Sequence, residues 1–223
     1  MAYILNIETA TKNCSVSIAN NGETIALKEL NSGEYSHAEK LHEFIEEVIS
    51  KSEIELYDLK AVAVSKGPGS YTGLRIGVSA AKGLCFALDI PLISVDTLKT
   101  LALSVSITEG CIVPLLDARR MEVYSSVFDS ENKKIREVKA EIITEDSFHN
   151  FLTKQKVYLV GDGVEKCKEV INHKNITFID GKLPSANEMS MLSFKKYKNN
   201  DIEDVAYFEP FYLKDFIALK SKK

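Results

Sequence analysis

Two carboxylates, Glu8 and Asp117, each close a short apolar run and open a polar turn. An acid at the end of a buried strand can orient a metal, a water or a phosphate, and the turn behind it can offer backbone N–H groups to phosphate oxygens. The turn after Glu8 is Thr9-Ala10-Thr11-Lys12-Asn13, which lacks the glycine that lets a backbone close on a phosphate. That omission weakens a tight nucleotide cradle there. The turn after Asp117 is Ala118-Arg119-Arg120. Either guanidinium suits a phosphate or a partner carboxylate, and a solvated turn is the equal alternative. The plainer reading of both acids is that they cap their strands and bond to nearby turn amides.

A second group of residues is Gly67-Pro68-Gly69-Ser70. The apolar run LKAVAVS leads into it, and a helix is expected from Ser70 to about Leu88, with Ser70 as N-cap. Strand, glycine turn and helix N-terminus make an anion-binding arrangement. No Lys-Ser or Lys-Thr follows the glycines, and GxGxxG spacing is absent, so neither nucleotide fingerprint applies. Gly161-Asp162-Gly163 is a weaker echo, better read as a tight strand-to-helix turn. Glu8, Gly69, Ser70, Asp117 and Arg119 together make a candidate cleft for a weakly held nucleotide or other anion.

Metal and nucleophile chemistry find little support. His37 and His42 are five apart on one expected helix and project about 140° apart, which is too far round for a shared metal. His37 falls in an apolar stripe and reads as a packed or interface histidine. No GxSxG elbow occurs, and no local motif gives Ser70 a histidine base. Cys14, Cys85, Cys111 and Cys167 form no CxxC pair and read as buried, reduced thiols of a cytosolic protein.

These residues must be carried by a framework. The 223 residues suit one large domain or two small ones, with 45% hydrophobic and 27% charged residues, ordinary for a soluble globular protein. The net charge of −4 argues against this chain gripping nucleic acid alone. Met1 runs straight into strand residues, with no basic leader and no run long enough to span a membrane, so a cytoplasmic protein is expected. Strands are expected at residues 3–7, 14–19 and 24–30, with a hairpin turn at Asn20-Asn21-Gly22. A helix follows from Ser36 to Ser52, opened by capping-box spacing between Ser36 and Glu39, then a strand at 61–65. A strand at 90–95 and a helix to about 105 close the first half. The second half repeats the plan weakly: strands at 112–116, 122–128 and 135–140, a helix near 145–152, a strand at 157–160, and helices at 164–172 and 187–197. The terminal KSKK reads as a solvated tail.

The helix after Ser70 is unusual. Leu74, Val78, Ala81, Cys85 and Leu88 make a core face, while Gly73, Gly77 and Ala80 make a smooth face beside it. Three interior glycines, Gly73, Gly77 and Gly83, cost about 3 kcal/mol together, so close backbone approach to something is expected. That something is either the chain's own sheet or a second protein chain.

GPGSYTGLRIG, with ILNIETATKNCSVSI, LDARRMEVY and EPFYLKDF, resembles the landmarks of the TsaB (YeaZ) family, a subunit of the bacterial machinery that makes threonylcarbamoyladenosine in tRNA. The resemblance spans nearly the whole chain. It implies an α/β fold of the actin/Hsp70/sugar-kinase (ASKHA) type, duplicated into two lobes, each a mixed sheet with flanking helices. The lobes are expected at 1–106, carrying the dimerisation helices, and at 107–223. It implies a non-catalytic scaffold that binds TsaD, with TsaE joining and a homodimer in isolation. TsaD transfers threonylcarbamoyl, from an adenylate made by TsaC-type enzymes, to N6 of adenosine 37 in tRNAs reading codons that start with A. Thr97 and Leu101 stand where TsaD carries its metal-binding histidine pair, so no metal is expected; by the same resemblance this chain requires no cofactor of its own, and a nucleotide at the complex interface is left open. tRNA is met only through the complex. The expected pairing surface comprises His37, Leu41, Gly73, Leu74, Arg75, Ile76, Gly77 and Ala80. A small ATPase or kinase of the same superfamily is the main alternative, and a metallopeptidase-like protein the third.

Overall fold

The computed structural model describes residues 1–31, 33 and 36–214; the KSKK tail and the last two residues of EPFYLKDF lie outside them. The first half builds β1 (Tyr3–Glu8), β2 (Cys14–Asn20), β3 (Glu23–Leu30), α1 (His37–Lys51), β4 (Leu59–Gly67), α2 (Tyr71–Leu88) and β5 (Leu92–Asp96). The second builds α3 (Thr97–Leu103), β6 (Cys111–Asp117), β7 (Glu122–Asp129), β8 (Lys134–Ile142), α4 (His149–Leu152), β9 (Val157–Val160), α5 (Val164–Lys168), β10 (Ile176–Ile179) and α6 (Ala186–Lys198). The strands form two sheets of the same design, ordered β3-β2-β1-β4-β5 and β8-β7-β6-β9-β10. In each, an antiparallel meander flanks a parallel pairing, β1 with β4 and β6 with β9. This is the duplicated ASKHA fold.

Alternation along the strands explains the layers. Leu5 and Ile7 of β1 join Leu41, Ile45, Val48, Val78 and Cys85 of α1 and α2 in one core. Ile4 points the other way, to Ala61, Ile93, Ala186 and Met189. Thus α6, late in the sequence, covers the back of the first sheet. Leu98, Leu101 and Ala102 of α3 pack instead on Ile112, Leu116, Phe128 and Val160 of the second sheet. The β2–β3 hairpin turns on Asn21 at φ 52° and Gly22 at φ 90°, the left-handed pair a two-residue hairpin needs.

Four local expectations change. Only 149–152 of the expected 145–152 helix forms, because Thr144 N–H donates to Ser147 Oγ in a turn and Phe148 takes φ 62°. The 164–172 helix stops at Lys168. Ser36 does not cap α1 with its side chain, since its ψ of 14° is far from the extended value a capping hydroxyl requires. The edge strand β10 was not anticipated, being four residues with no strong alternation. Among the described residues, no helix is long and apolar enough to cross a membrane.

Candidate functional site

The smooth face of α2 is occupied by the chain itself. Ser70 Oγ accepts from Gly73 N–H at 3.3 Å and caps the helix. The turn after Glu8 then lies directly on the first two turns of α2. A Cβ on Gly73 would strike the Thr9 carbonyl oxygen, and one on Gly77 would strike the Thr9 hydroxyl. At Gly69 a Cβ would come within 2.7 Å of the Ala10 Cβ, while Ser70 N–H donates to the Ala10 carbonyl at 2.7 Å. Close backbone approach therefore offsets the cost of Gly73 and Gly77, and the approaching backbone is Thr9-Ala10. These two glycines do not lie open to a partner helix, contrary to the expectation placed on them.

Three more of the expected pairing residues are buried: His37, Leu41 and Leu74. His37 Nε2–H donates to the Thr11 carbonyl at 2.7 Å, so it ties α1 to the same turn. Burial pulls its imidazole below the ordinary value, against the opposing effect of that carbonyl. Arg75, Ile76 and Ala80 remain at the surface. The accessible stripe of α2 continues through Thr72, Ser79, Gly83 and Phe86. Phe86 is 85% exposed, and a Cβ on Gly83 would meet nothing within 4 Å. Sequence reasoning missed Gly83 and Phe86 as surface residues. Continuing the three- and four-residue steps beyond Ala80 would have found them.

A cleft of about 1230 Å³ opens beside this helix, between the two sheets. Of the five residues expected there, Gly69, Ser70, Asp117 and Arg119 line it, and Glu8 does not. Glu8 is fully buried beneath its own turn. Its Oε1 accepts from Ala10 N–H at 2.7 Å, and Asp117 Oδ1 accepts from Arg119 N–H at 2.6 Å. The two halves thus repeat one acid-to-turn bond, two residues on in each case. Burial raises the Glu8 carboxyl from 4.5 to about 7, against the lowering effect of its hydrogen bonds. Three amides of the first turn have partners within the chain. Thr9 N–H donates to Ser65 Oγ, Ala10 N–H to Glu8, and Asn13 N–H to Thr11 Oγ1. The second turn carries Arg119 and Arg120 at φ 70° and 49°, with both side chains exposed to the cleft. The segment after α6 closes one side: Phe211 N–H donates to the Lys66 carbonyl at 2.7 Å, and Tyr212 packs on Tyr71 with ring centres 5.1 Å apart.

Thr97 and Leu101 have packing roles. Thr97 Oγ1 accepts from Gly67 N–H at 3.1 Å, and Leu101 is fully buried. Among the described residues no three His, Cys, Asp or Glu side chains converge as metal ligands. The four cysteines are buried and free, with burial raising the thiols to about 11, and Cys167 to about 12.

Comparison with known proteins adds the family. The model of the family described as TsaD, tRNA N6-adenosine threonylcarbamoyltransferase, matches residues 32–221. The Escherichia coli tRNA threonylcarbamoyladenosine biosynthesis protein TsaB is 29% identical over 225 residues, covering 97% of this chain and 96% of that one. The Haemophilus influenzae protein of the same name is 29% identical over 228 residues, covering 97% and 95%. YeaZ from Pseudomonas aeruginosa superposes with a TM-score of 0.80 at 21% identity, covering 96% of this chain and all of that one, which shows the fold. A duplicated ASKHA fold, matched by that family model over most of its length and by TsaB relatives end to end, belongs to the TsaD threonylcarbamoyltransferase family, in its TsaB/YeaZ branch.

Proposed function

We propose that this chain works in tRNA threonylcarbamoyladenosine biosynthesis as a cytoplasmic, non-catalytic subunit that holds the transferase TsaD in a working complex. The observation that carries the reading is the open stripe of α2. Thr72, Ile76, Ala80, Gly83 and Phe86 give a helix surface low enough for another helix to approach, with one large apolar anchor at its end. Arg75, hydrogen-bonded to the Tyr71 hydroxyl at 2.7 Å, supplies a charged rim. The transferase supplies the chemistry on adenosine 37 of tRNA, and TsaE joins the assembly. Without TsaD, the same self-complementary stripe closes a two-fold homodimer. A free-standing ATPase or kinase is less well supported, because the first turn has no glycine to let its backbone close on a phosphate and is itself packed against α2 at Gly73 and Gly77.

The test is Gly83→Arg. The site has open space, and losing a helical glycine is favourable by about 1 kcal/mol, so the variant folds. It is expected to abolish co-purification with co-expressed TsaD and to leave the isolated chain monomeric in sedimentation. Undiminished co-purification would remove the stripe as the pairing surface. Gly77→Arg is unsuitable, since its Cβ would already collide with Thr9.

A further inference from the structure

The cleft described above is electrostatically uneven. Its acids are mostly answered by lysines. Asp117 pairs with Lys166 at 2.9 Å, Glu122 with Lys214, and Glu165 and Asp180 with Lys168 at 2.9 and 2.6 Å. Asp162 has no ion pair among the described residues, and its Oδ1 accepts from the Asp117 N–H at 2.8 Å. Four cations on the walls have no ion pair among the described residues: Lys12, Arg119, Arg120 and Lys182. They come from three different loops and all are exposed.

Two further features say what the opening fits. Several backbone amides at its rim are engaged within the chain, at Thr9, Ala10 and Asn13 on one side and at Arg119 and Gly163 on the other. What faces the space is long, adjustable side chains. The same walls carry aromatic rings, Tyr124 from β7 and Tyr212 from the closing segment, the latter packed on Tyr71 with the ring planes 39° apart. Separated cations and aromatic rings in one cleft match a strand of phosphodiesters with unstacked bases.

We propose that this cleft binds a single-stranded stretch of RNA, with Lys12, Arg119, Arg120 and Lys182 on phosphates and Tyr212 under a base. The inference rests on the reading that the chain works in a tRNA-modifying assembly, where it adds a direct, individually weak grip on the RNA. The test uses the full chain, a fluorescein-labelled single-stranded oligoribonucleotide, and fluorescence anisotropy across a salt series. Binding is expected to weaken with salt. The double variant Arg119→Ala/Arg120→Ala should flatten the slope of log K against log salt by about 1.4, at about 0.7 per cation for single strands. Lys12→Ala/Lys182→Ala, on other loops, should do the same, and Tyr212→Ala should weaken binding several-fold without changing the slope. Variants are compared at matched thermal midpoints. Slopes equal to wild type in both double variants would overturn the proposal. So would ATP displacing the oligonucleotide at equal concentration, which points to a free nucleotide, or poly-glutamate binding as well as RNA, which points to an acidic protein segment. Co-purification of the double variants with TsaD separates this outcome from failure of the scaffold reading.

Discussion

Glu8 is a carboxyl group shut away from water, with Oε1 bonded to the Ala10 N–H and Oε2 without a partner among the described residues. Burial lifts it from 4.5 to about 7. The folded chain then holds the proton more tightly than the unfolded chain between those values. Stability therefore falls as pH rises through that window, is fully penalised above it, and carries no penalty below 4.5. The rise corresponds to up to about 3 kcal/mol. Glu8→Gln keeps the bond to Ala10 and cannot ionise. Denaturant midpoints are expected to move in its favour as pH rises from 4 to 8, whatever constant offset the new amide adds. Parallel curves for the two proteins would sink this account. The sequence shows an acid at the end of each first strand and so reveals the shared turn bond. It does not show that Glu8 is covered while Asp117 is open, because that depends on how tightly a remote helix, α2, lies against the turn.

The same helix shows how far a pattern of small residues can be read. Gly73, Gly77 and Gly83 look alike in sequence, and the cost of each in a helix is the same, so that close contact could be inferred. What they touch could not. Two face Thr9 and one faces open space. The difference arises because the turn reaches only as far as Gly77, six residues short of Gly83. Identical substitutions should therefore have opposite effects. Gly77→Ala forces a methyl onto the Thr9 hydroxyl and is expected to lower stability by about 1–3 kcal/mol, the usual cost of overpacking. Gly83→Ala relieves a helical glycine and is expected to raise it by about 1 kcal/mol in the isolated chain. Thermal midpoints of the two variants check both signs, and a loss in both would mean that the turn does not decide the matter. Regular elements with strong periodicity were legible throughout. The short pieces, α4, α5 and β10, were not, because four or five residues carry too little pattern to outweigh local turn chemistry.

At the scale of the molecule, the expected division at residues 106 and 107 falls just after α3, and α3 belongs physically to both sides. Its apolar face lies in the core of the second sheet, with Leu101 fully buried against a pocket whose wall includes Gly161. Its N-terminal end is fastened to the first sheet by the Gly67 N–H on Thr97 and to the second by Lys134 on Asp96 at 3.0 Å and Lys99 on the Asn132 carbonyl. Meanwhile α6 returns from the second half to cover the first sheet. Two crossings of this kind couple the sheets, so neither keeps its core when the other opens. Leu101→Ala removes a fully buried side chain and is expected to cost about 2–5 kcal/mol. If the coupling holds, amide exchange in β1 should lose as much protection as in β6, although β1 has no contact with the altered residue in its core cluster. Loss confined to β6, β7 and β9 would mean instead that the two sheets unfold as separate units, with α3 a tether rather than a shared part.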